Sequence, residues 1–566
     1  MTPPSQQPRG VASLLEQVAP FPSFARYMER CLHDPSFGYY HTGKVRFGRT
    51  RDFLTFPRLL RPLFGWMVAE AARRVFDTLA ENGVGNETPL TILELGGGEG
   101  ELARDVIDYI QDRAETPEWK PYASRTRYVL GEHSPVLRER QSVRLRTATA
   151  SGLAEVQDID ATDLRWEGPF HGLVVANELV DVFPCEKLRV SVPGPEIHRV
   201  HVMPIAERRW ARKYNVPDED FLTPPANDNG SAARYGVLSQ DRFWQLVEAG
   251  DWGESDDSHT LGEVTVPVAE GWLDDDGSRR DVPVELLDWL DDVRPMLSDL
   301  EACELLPADV YWSPSTSRLV DGLSRLLDGT GERMGAALLL DYGGTARHII
   351  DPRSRDSHFR VYGGLRSDDH KPLPYLHPAA RDLTWDVDFT ELALRADQAG
   401  LEVRFFGHQS ALELSSLDLA SRDAVEALIP TVLGEGEIDI RSAIEEAARA
   451  VQVFRSSPGF RCLVLGHLGF ELEFDDFGTH DDVLDDGLRA LAPDVSAAEL
   501  RAELATIGLG EAAKCLKACG DPVADLEDHG HYPSRRAILE LLDARGWLCA
   551  PGEGSRRLPA NEAPSG

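Results

Sequence analysis

The chain has 566 residues, room for about three to four domain-sized units. Apolar residues make up 42% and charged residues 27%, ordinary values for soluble globular proteins that exclude global disorder. Fifty-nine basic against 95 acidic side chains leave a net charge of -36, which excludes a general nucleic-acid binder, because neutralising phosphates needs a basic surface. The balance suits neutral or cationic partners.

Seven cysteines, odd in number and without a C-x-x-C, argue against a disulfide framework or a structural zinc site, and no metal is expected. Cys515 and Cys519, four residues apart, read as ordinary helix residues. The N-terminal stretch lacks the basic start and apolar run of a secretory signal. No apolar segment approaches the roughly 20 residues of a membrane span. The expected location is therefore the cytoplasm, with no membrane partner.

In chain order, residues 12–33 predict helix, with Leu14, Leu15, Val18, Phe24, Tyr27, Met28 and Leu32 spaced by three and four around Pro20 and Pro22. A loop rich in Gly, Arg and aromatics runs to Pro57, followed by an amphipathic helix from Pro62 to Leu79. Strand Thr91–Leu95 then breaks into Gly96-Gly97-Gly98-Glu99-Gly100, and a helix opens with Leu102, Val106, Ile107 and Ile110 on one face. Further strands are predicted at Arg127–Leu130, near Ala154–Val156, at Gly172–Ala176 and at Ala336–Leu340 before Asp341. Leu401–Phe406 and Arg461–Leu465 are predicted to be strands that pair. Strands alternating with helices and ending in polar or glycine residues indicate an α/β fold with a doubly wound, mostly parallel sheet, in which ligands bind beyond the strands' carboxyl ends. Two regions break the rhythm. Residues 203–307 lack sustained alternation, and their stretch 251–300 holds 15 acidic and 3 basic residues, which reads as an insertion with a solvated acidic face. After Gly466 the pattern is mostly helical.

A strand, a glycine loop and a helix together put backbone N–H groups and a helix's positive end beside a ligand. Read from Gly98, the loop is G-x-G-x-x-A, a dinucleotide fingerprint. Read from Glu94, it is E-x-G-x-G-x-G, as in S-adenosylmethionine methyltransferases. A dinucleotide site wants an acid about 20 residues past the loop, whereas Glu132 ends the second strand more than thirty residues on. Spacing favours methyl transfer, but an insertion before that strand would delay the acid in either fold, and a loop that merely turns the chain is a third reading.

Nine segments, in order from about residue 12 to 469, resemble the MidA-type methyltransferases, a family with a mitochondrial arginine methyltransferase that acts as a complex I assembly factor. They are FARYMERCLHDPSFGYY, RDFLTFPRLLRPLFG, ELGGGEGELARDV, GEHSPVLRERQ, VVANELVDVFP, LLLDYGG, HFRVYGGL, RDLTWDVDFTEL and GHQSALEL. The resemblance implies a Rossmann-like, seven-stranded class I methyltransferase sheet. It divides the chain into a helical N-terminal cap at 1–85, a methyltransferase domain at 86–202 and 308–469, an acidic insertion at 203–307 and a helical extension at 470–566.

The cofactor it implies is S-adenosyl-L-methionine, with Gly96, Gly98 and Gly100 lining the loop, Glu94 beneath it, Glu132 at the ribose, and Asp158 or Asp160 near the adenine. Asn177, Glu178 and Asp181, in the pattern N-E-x-x-D-x-x-P, face the acceptor. Two carboxylates there can grip a guanidinium's N–H fork and aim one nitrogen at the methyl group; a polar strand-end turn is the alternative reading. Tyr40 with Phe37 and Tyr39, and Asp52, belong to the cap; Asp341 ends the fifth strand, where an acid can reach the substrate pocket, a buried turn acid being the alternative reading. His358 and His370 are candidate proton acceptors, although a lone loop histidine is more often a surface residue.

The implied function is methylation of arginine in a protein acceptor. The alternatives are a small-molecule O- or N-methyltransferase, or a cofactor-binding assembly protein without turnover. Departures from the pattern fall where substrate choice is decided. Arg51 replaces a glycine, Phe56 an alanine, Arg58 a glutamate, Gly97 a common proline, and Leu179-Val180 an aromatic pair. Arg51 and Arg58 raise the expectation of an anionic acceptor.

Overall fold

The computed structural model describes residues 21–45, 55–192, 194–222, 234–253, 258–273, 279–352, 357–362, 374–410 and 459–467, with short helical pieces between 412 and 454. The described residues divide into two compact units, one drawn from 1–46, 182–315 and 352–385, the other from 47–181, 316–351 and 386–566. The expected extension at 470–566, together with Arg51, Asp52 and His370, lies outside the described residues.

The first half of the chain runs α1 (Phe24–His33), α2 (Phe56–Leu59), α3 (Leu63–Glu81), β1 (Leu90–Leu95), α4 (Glu101–Asp112), β2 (Thr126–Gly131), α5 (Pro135–Arg144), β3 (Ala154–Gln157), β4 (Phe170–Asn177), β5 (Glu186–Ser191) and β6 (Glu196–Glu207). The second half adds β7 (Tyr235–Val237), α6 (Gln240–Glu248), β8 (His259–Pro267), α7 (Val284–Ala302), β9 (Ala308–Trp312), α8 (Pro314–Leu326), β10 (Arg333–Gly344), β11 (Phe359–Tyr362), β12 (Asp382–Trp385), α9 (Phe389–Gln398), β13 (Leu401–His408) and β14 (Phe460–His467). No helix among the described residues is long and apolar enough to cross a membrane.

The second unit holds an eight-stranded sheet in which seven strands follow the order β13-β14-β10-β4-β1-β2-β3. The eighth is the short strand Val387–Asp388, paired with Gly343 and Gly344 beside the end of β10, which takes the count past the expected seven. From β3 to β10 every pairing is parallel, and β14 runs antiparallel to both β10 and β13. Every residue of β1 is buried, as expected for a central parallel strand covered on both faces. A continuous core joins Leu63, Phe64, Met67, Val68 and Val75 of α3, Leu102 and Val106 of α4, Ile92 of β1 and Leu338 of β10. The strand order reverses at β1 and β4, and the crevice at such a switch point is where doubly wound sheets hold ligands.

The first unit is built differently. Its sheet runs β9-β5-β6-β7, with β8 also on β6, and all of its pairings are antiparallel. A second antiparallel pair joins β11 to β12. Helix α1, capped by the Ser23 hydroxyl accepting from the Arg26 N–H, buries Phe24, Tyr27, Met28, Cys31 and Leu32. Residues 203–307 thus supply strands to a sheet that begins before them in β5 and ends after them in β9.

The acids of 251–300 do not all face water. Glu263 pairs with Lys187 at 2.8 Å and Arg189 at 2.7 Å and accepts from the Tyr375 hydroxyl at 2.6 Å. Burial alone would raise its pKa, but these cations hold it down at about 2.

Candidate functional site

Backbone geometry builds the site first. At the carboxyl end of β1 the chain turns through Gly96, Gly98 and Gly100, all with positive φ (69°, 53° and 80°), a region that costs an L side chain about 1–2 kcal/mol. Gly97 packs closely: a Cβ there would lie 2.1 Å from Leu130 Cδ2 and 2.9 Å from the Glu94 carboxyl carbon, so a side chain at 97 requires those two side-chain ends to move. The loop ends where α4 opens, so its backbone lies against a helix N-terminus.

Glu94 is wholly buried under this loop, with the Tyr128 hydroxyl donating to its Oε2 at 2.8 Å. Burial pushes its pKa up to about 8; Glu101 and Glu132 push the same way, and the Tyr128 hydrogen bond only partly opposes them. Glu132, just past β2, accepts from the Ser134 N–H at 2.8 Å, and burial lifts its pKa to about 7. Gln141 of α5 joins the glycine loop to Glu132: its Nε2 donates to the Gly98 carbonyl at 2.9 Å and to Glu132 Oε2 at 3.4 Å.

Two buried side-chain oxygens here, Gln141 Oε1 and Asn177 Oδ1, have no hydrogen-bond donor among the described residues. The site is therefore rich in acceptors, with two carboxyls that burial has made reluctant to ionise. A ligand that brings donors and positive charge fits it. S-adenosylmethionine has such groups in its ammonium, sulfonium, ribose hydroxyls and adenine amine.

The acids expected near the adenine are engaged locally. Asp160 Oδ1 accepts from the Thr162 N–H and hydroxyl, both at 2.8 Å, and Asp158 is exposed and paired with Arg138 at 3.0 Å.

At the end of β4, Asn177, Glu178 and Asp181 come together with Asp341 of β10. Glu178 has φ 49°, a left-handed conformation in a residue that is not glycine, and such strain persists only where the surroundings impose it. Its N–H donates to the Leu340 carbonyl at 2.8 Å, and its Oε1 accepts from the Phe56 N–H and from Asn177 Nδ2, both at 3.2 Å. Asp181 is buried. Asp341 spends its carboxylate on backbone: Oδ2 accepts from the N–H groups of Leu179 (3.1 Å), Val180 (2.8 Å) and Asp181 (3.2 Å), and Oδ1 from that of Tyr342. It holds the turn that presents Glu178.

Two expectations change. Arg58 does not offer its charge to an anionic acceptor, because its guanidinium is taken by Glu99, at 2.9 Å, and by Glu101. His358 is buried, not a surface residue. Tyr40 belongs to the first unit, where its hydroxyl donates to Asp382 at 2.8 Å and its ring stacks on His33. Sequence reasoning missed Tyr128 and Gln141. Tyr128 was detectable in principle, as a polar tip two residues before Leu130, the register partner of Glu94, and so on the same face of the sheet. Among the described residues no cluster of three metal-ligating side chains occurs.

The strand order, the glycine loop at its switch point and the acids at the ends of β1, β2 and β4 define a class I S-adenosylmethionine-dependent methyltransferase. Residues 68–407 match a family of S-adenosyl-L-methionine-dependent methyltransferases, and the chain belongs to that family. It is similar to the mitochondrial protein arginine methyltransferase NDUFAF7 homologue of Drosophila melanogaster, with 24% identity over 479 residues, covering 79% of this chain and 85% of that one. Among solved structures it is similar to a Burkholderia thailandensis protein bound to S-adenosyl-homocysteine, at 19% identity and a TM-score of 0.47, covering 83% of this chain and 96% of the other. A native structure of a Burkholderia thailandensis protein gives 18% identity and a TM-score of 0.42, with the same coverage.

Proposed function

We propose that the protein transfers a methyl group from S-adenosylmethionine to an arginine side chain of a protein acceptor, in the cytoplasm. The observation that carries this reading is the strained Glu178 at the switch point, held next to Asn177 and the buried Asp181. The bound cofactor supplies an electrophilic methyl group. The protein's part is to hold the acceptor nitrogen in line with it and to offset charge. A guanidinium presents a planar fork of N–H donors, and Glu178 with Asp181 supplies carboxylates to receive it. Glu94, Glu132 and the glycine loop serve the cofactor in this reading, and Asp341 acts only through the turn. The name of the Drosophila relative supports the same acceptor class.

The test is incubation of the purified protein with methyl-labelled S-adenosylmethionine and a lysate of its source organism. Labelled protein bands support the proposal. Label confined to small molecules replaces it with a small-molecule O- or N-methyltransferase, and no transfer at all leaves a cofactor-binding assembly protein.

A further inference from the structure

Helix α2 is short, yet both of its ends are tied to the reaction site. At its start the Phe56 N–H donates to Glu178 Oε1 at 3.2 Å, and the Phe56 ring packs edge-on against Phe460 at 4.7 Å. Two residues on, the Arg58 guanidinium reaches the cofactor loop, pairing with Glu99 at 2.9 Å and with Glu101, the first residue of α4. Arg140 and Arg144 of α5 pair with the same two glutamates, at 3.3 Å to Glu99 and 3.0 Å to Glu101. Their side chains are 33% exposed against 13% for Arg58, so Arg58 sits in the lower dielectric and makes the stronger tie. Arg61 anchors the entry to α3 separately, with a bidentate grip on Asp105 at 2.7 and 2.8 Å.

These contacts form a chain from the cofactor loop through α2 to the carboxylate at the end of β4. We propose that Arg58 is a positioning residue: it fixes α2 against the cofactor loop, so that the Phe56 N–H sets the Glu178 carboxylate in register with the cofactor. This rests on the reading of Glu178 as the acid that grips the acceptor. Removing Arg58 leaves Arg140 and Arg144 to neutralise Glu99 and Glu101, so the loop keeps its shape. What is lost is the link to Glu178.

Five proteins test this: wild type, Arg58→Ala, Glu178→Gln, the double variant, and Arg58→Lys, a milder variant that keeps the charge. Three readouts are taken, namely S-adenosylhomocysteine binding by calorimetry, amide exchange at Phe56 in the cofactor-free protein, and methyl transfer to the lysate at saturating cofactor. In Arg58→Ala the Kd changes by no more than about threefold, because two arginines remain on the loop. Its transfer rate falls about 10- to 100-fold, as expected when an acceptor-gripping group is displaced. Phe56 exchanges faster in Arg58→Ala, Arg58→Lys recovers part of the rate, and the double variant is no slower than Glu178→Gln alone.

Additive losses in the double variant, or a loss of S-adenosylhomocysteine binding as large as the loss of transfer, would overturn the proposal. So would unchanged Phe56 exchange in Arg58→Ala. Full transfer by Glu178→Gln with fast Phe56 exchange in Arg58→Ala would instead sink the role given to Glu178 and leave the physical link standing.

Discussion

With Glu94 serving the cofactor as proposed, cofactor binding is linked to a proton. Its folded pKa of about 8 lies well above the usual value near 4.5. Between those two pH values the folded protein without cofactor holds a proton that the unfolded chain has lost, so stability falls as pH rises through the window and levels off above it. A shift of that size corresponds to on the order of 5 kcal/mol across the window. Glu132, raised to about 7, contributes with the same sign over a narrower range.

A cationic group seated beside Glu94 favours the ionised form. Binding of S-adenosylhomocysteine, which keeps the ammonium, therefore releases a proton near neutral pH, and affinity rises by up to about tenfold per pH unit toward pH 8. Calorimetry in buffers of different ionisation enthalpy counts the proton directly. Glu94→Gln mimics the protonated acid: stability at pH 6 should change little, the stability slope should flatten, and affinity at pH 8.5 should fall at least about tenfold. Affinity that is flat between pH 6 and 8 in wild type, or a stability slope in Glu94→Gln as steep as that of wild type beyond the part due to Glu132, would contradict this linkage.

Other consequences concern the turn after β4. Asp341→Ala strands three N–H groups of Leu179, Val180 and Asp181 and should cost about 2–4 kcal/mol in urea denaturation, with Asp341→Asn losing less because one oxygen can still accept. A change under about 0.5 kcal/mol in Asp341→Ala would show that those bonds do not hold the turn. At position 178, where φ is 49°, glycine should be more stable than alanine by about 1 kcal/mol, reversing their usual order in regular structure. Equal melting temperatures for Glu178→Gly and Glu178→Ala would mean that the backbone there is not strained.

The parallel sheet was readable because its signal is local. Leu90–Leu95 is a mostly apolar, fully buried strand that breaks into glycines, and such strands recur with helices between them. The glycine loop and Glu94 could be found from the same stretch of chain. The antiparallel sheet of the first unit was not readable. Its strands are not separated by a regular alternation with helices, their partners lie up to about 120 residues apart, as in the pairing of Leu188 with Val310, and some of its acids are consumed by internal ion pairs instead of marking a solvated face.

At the site, residue types were legible and their duties were not. Asp341 and Glu178 are both carboxylates at strand ends, and only the register of β10 on β4 reveals that one binds backbone while the other sits in a left-handed turn. Arg58 read as a charge for the acceptor, because sequence does not show that Glu99 and Glu101 lie within its reach.

The central claim is methyl transfer to arginine. Amino-acid analysis of the proteins labelled in a lysate of the source organism tests it most directly, with Glu178→Gln alongside wild type. The account predicts label in methylated arginine, strongly reduced in the variant. Label in any other amino acid, or equal labelling by the variant, would contradict it.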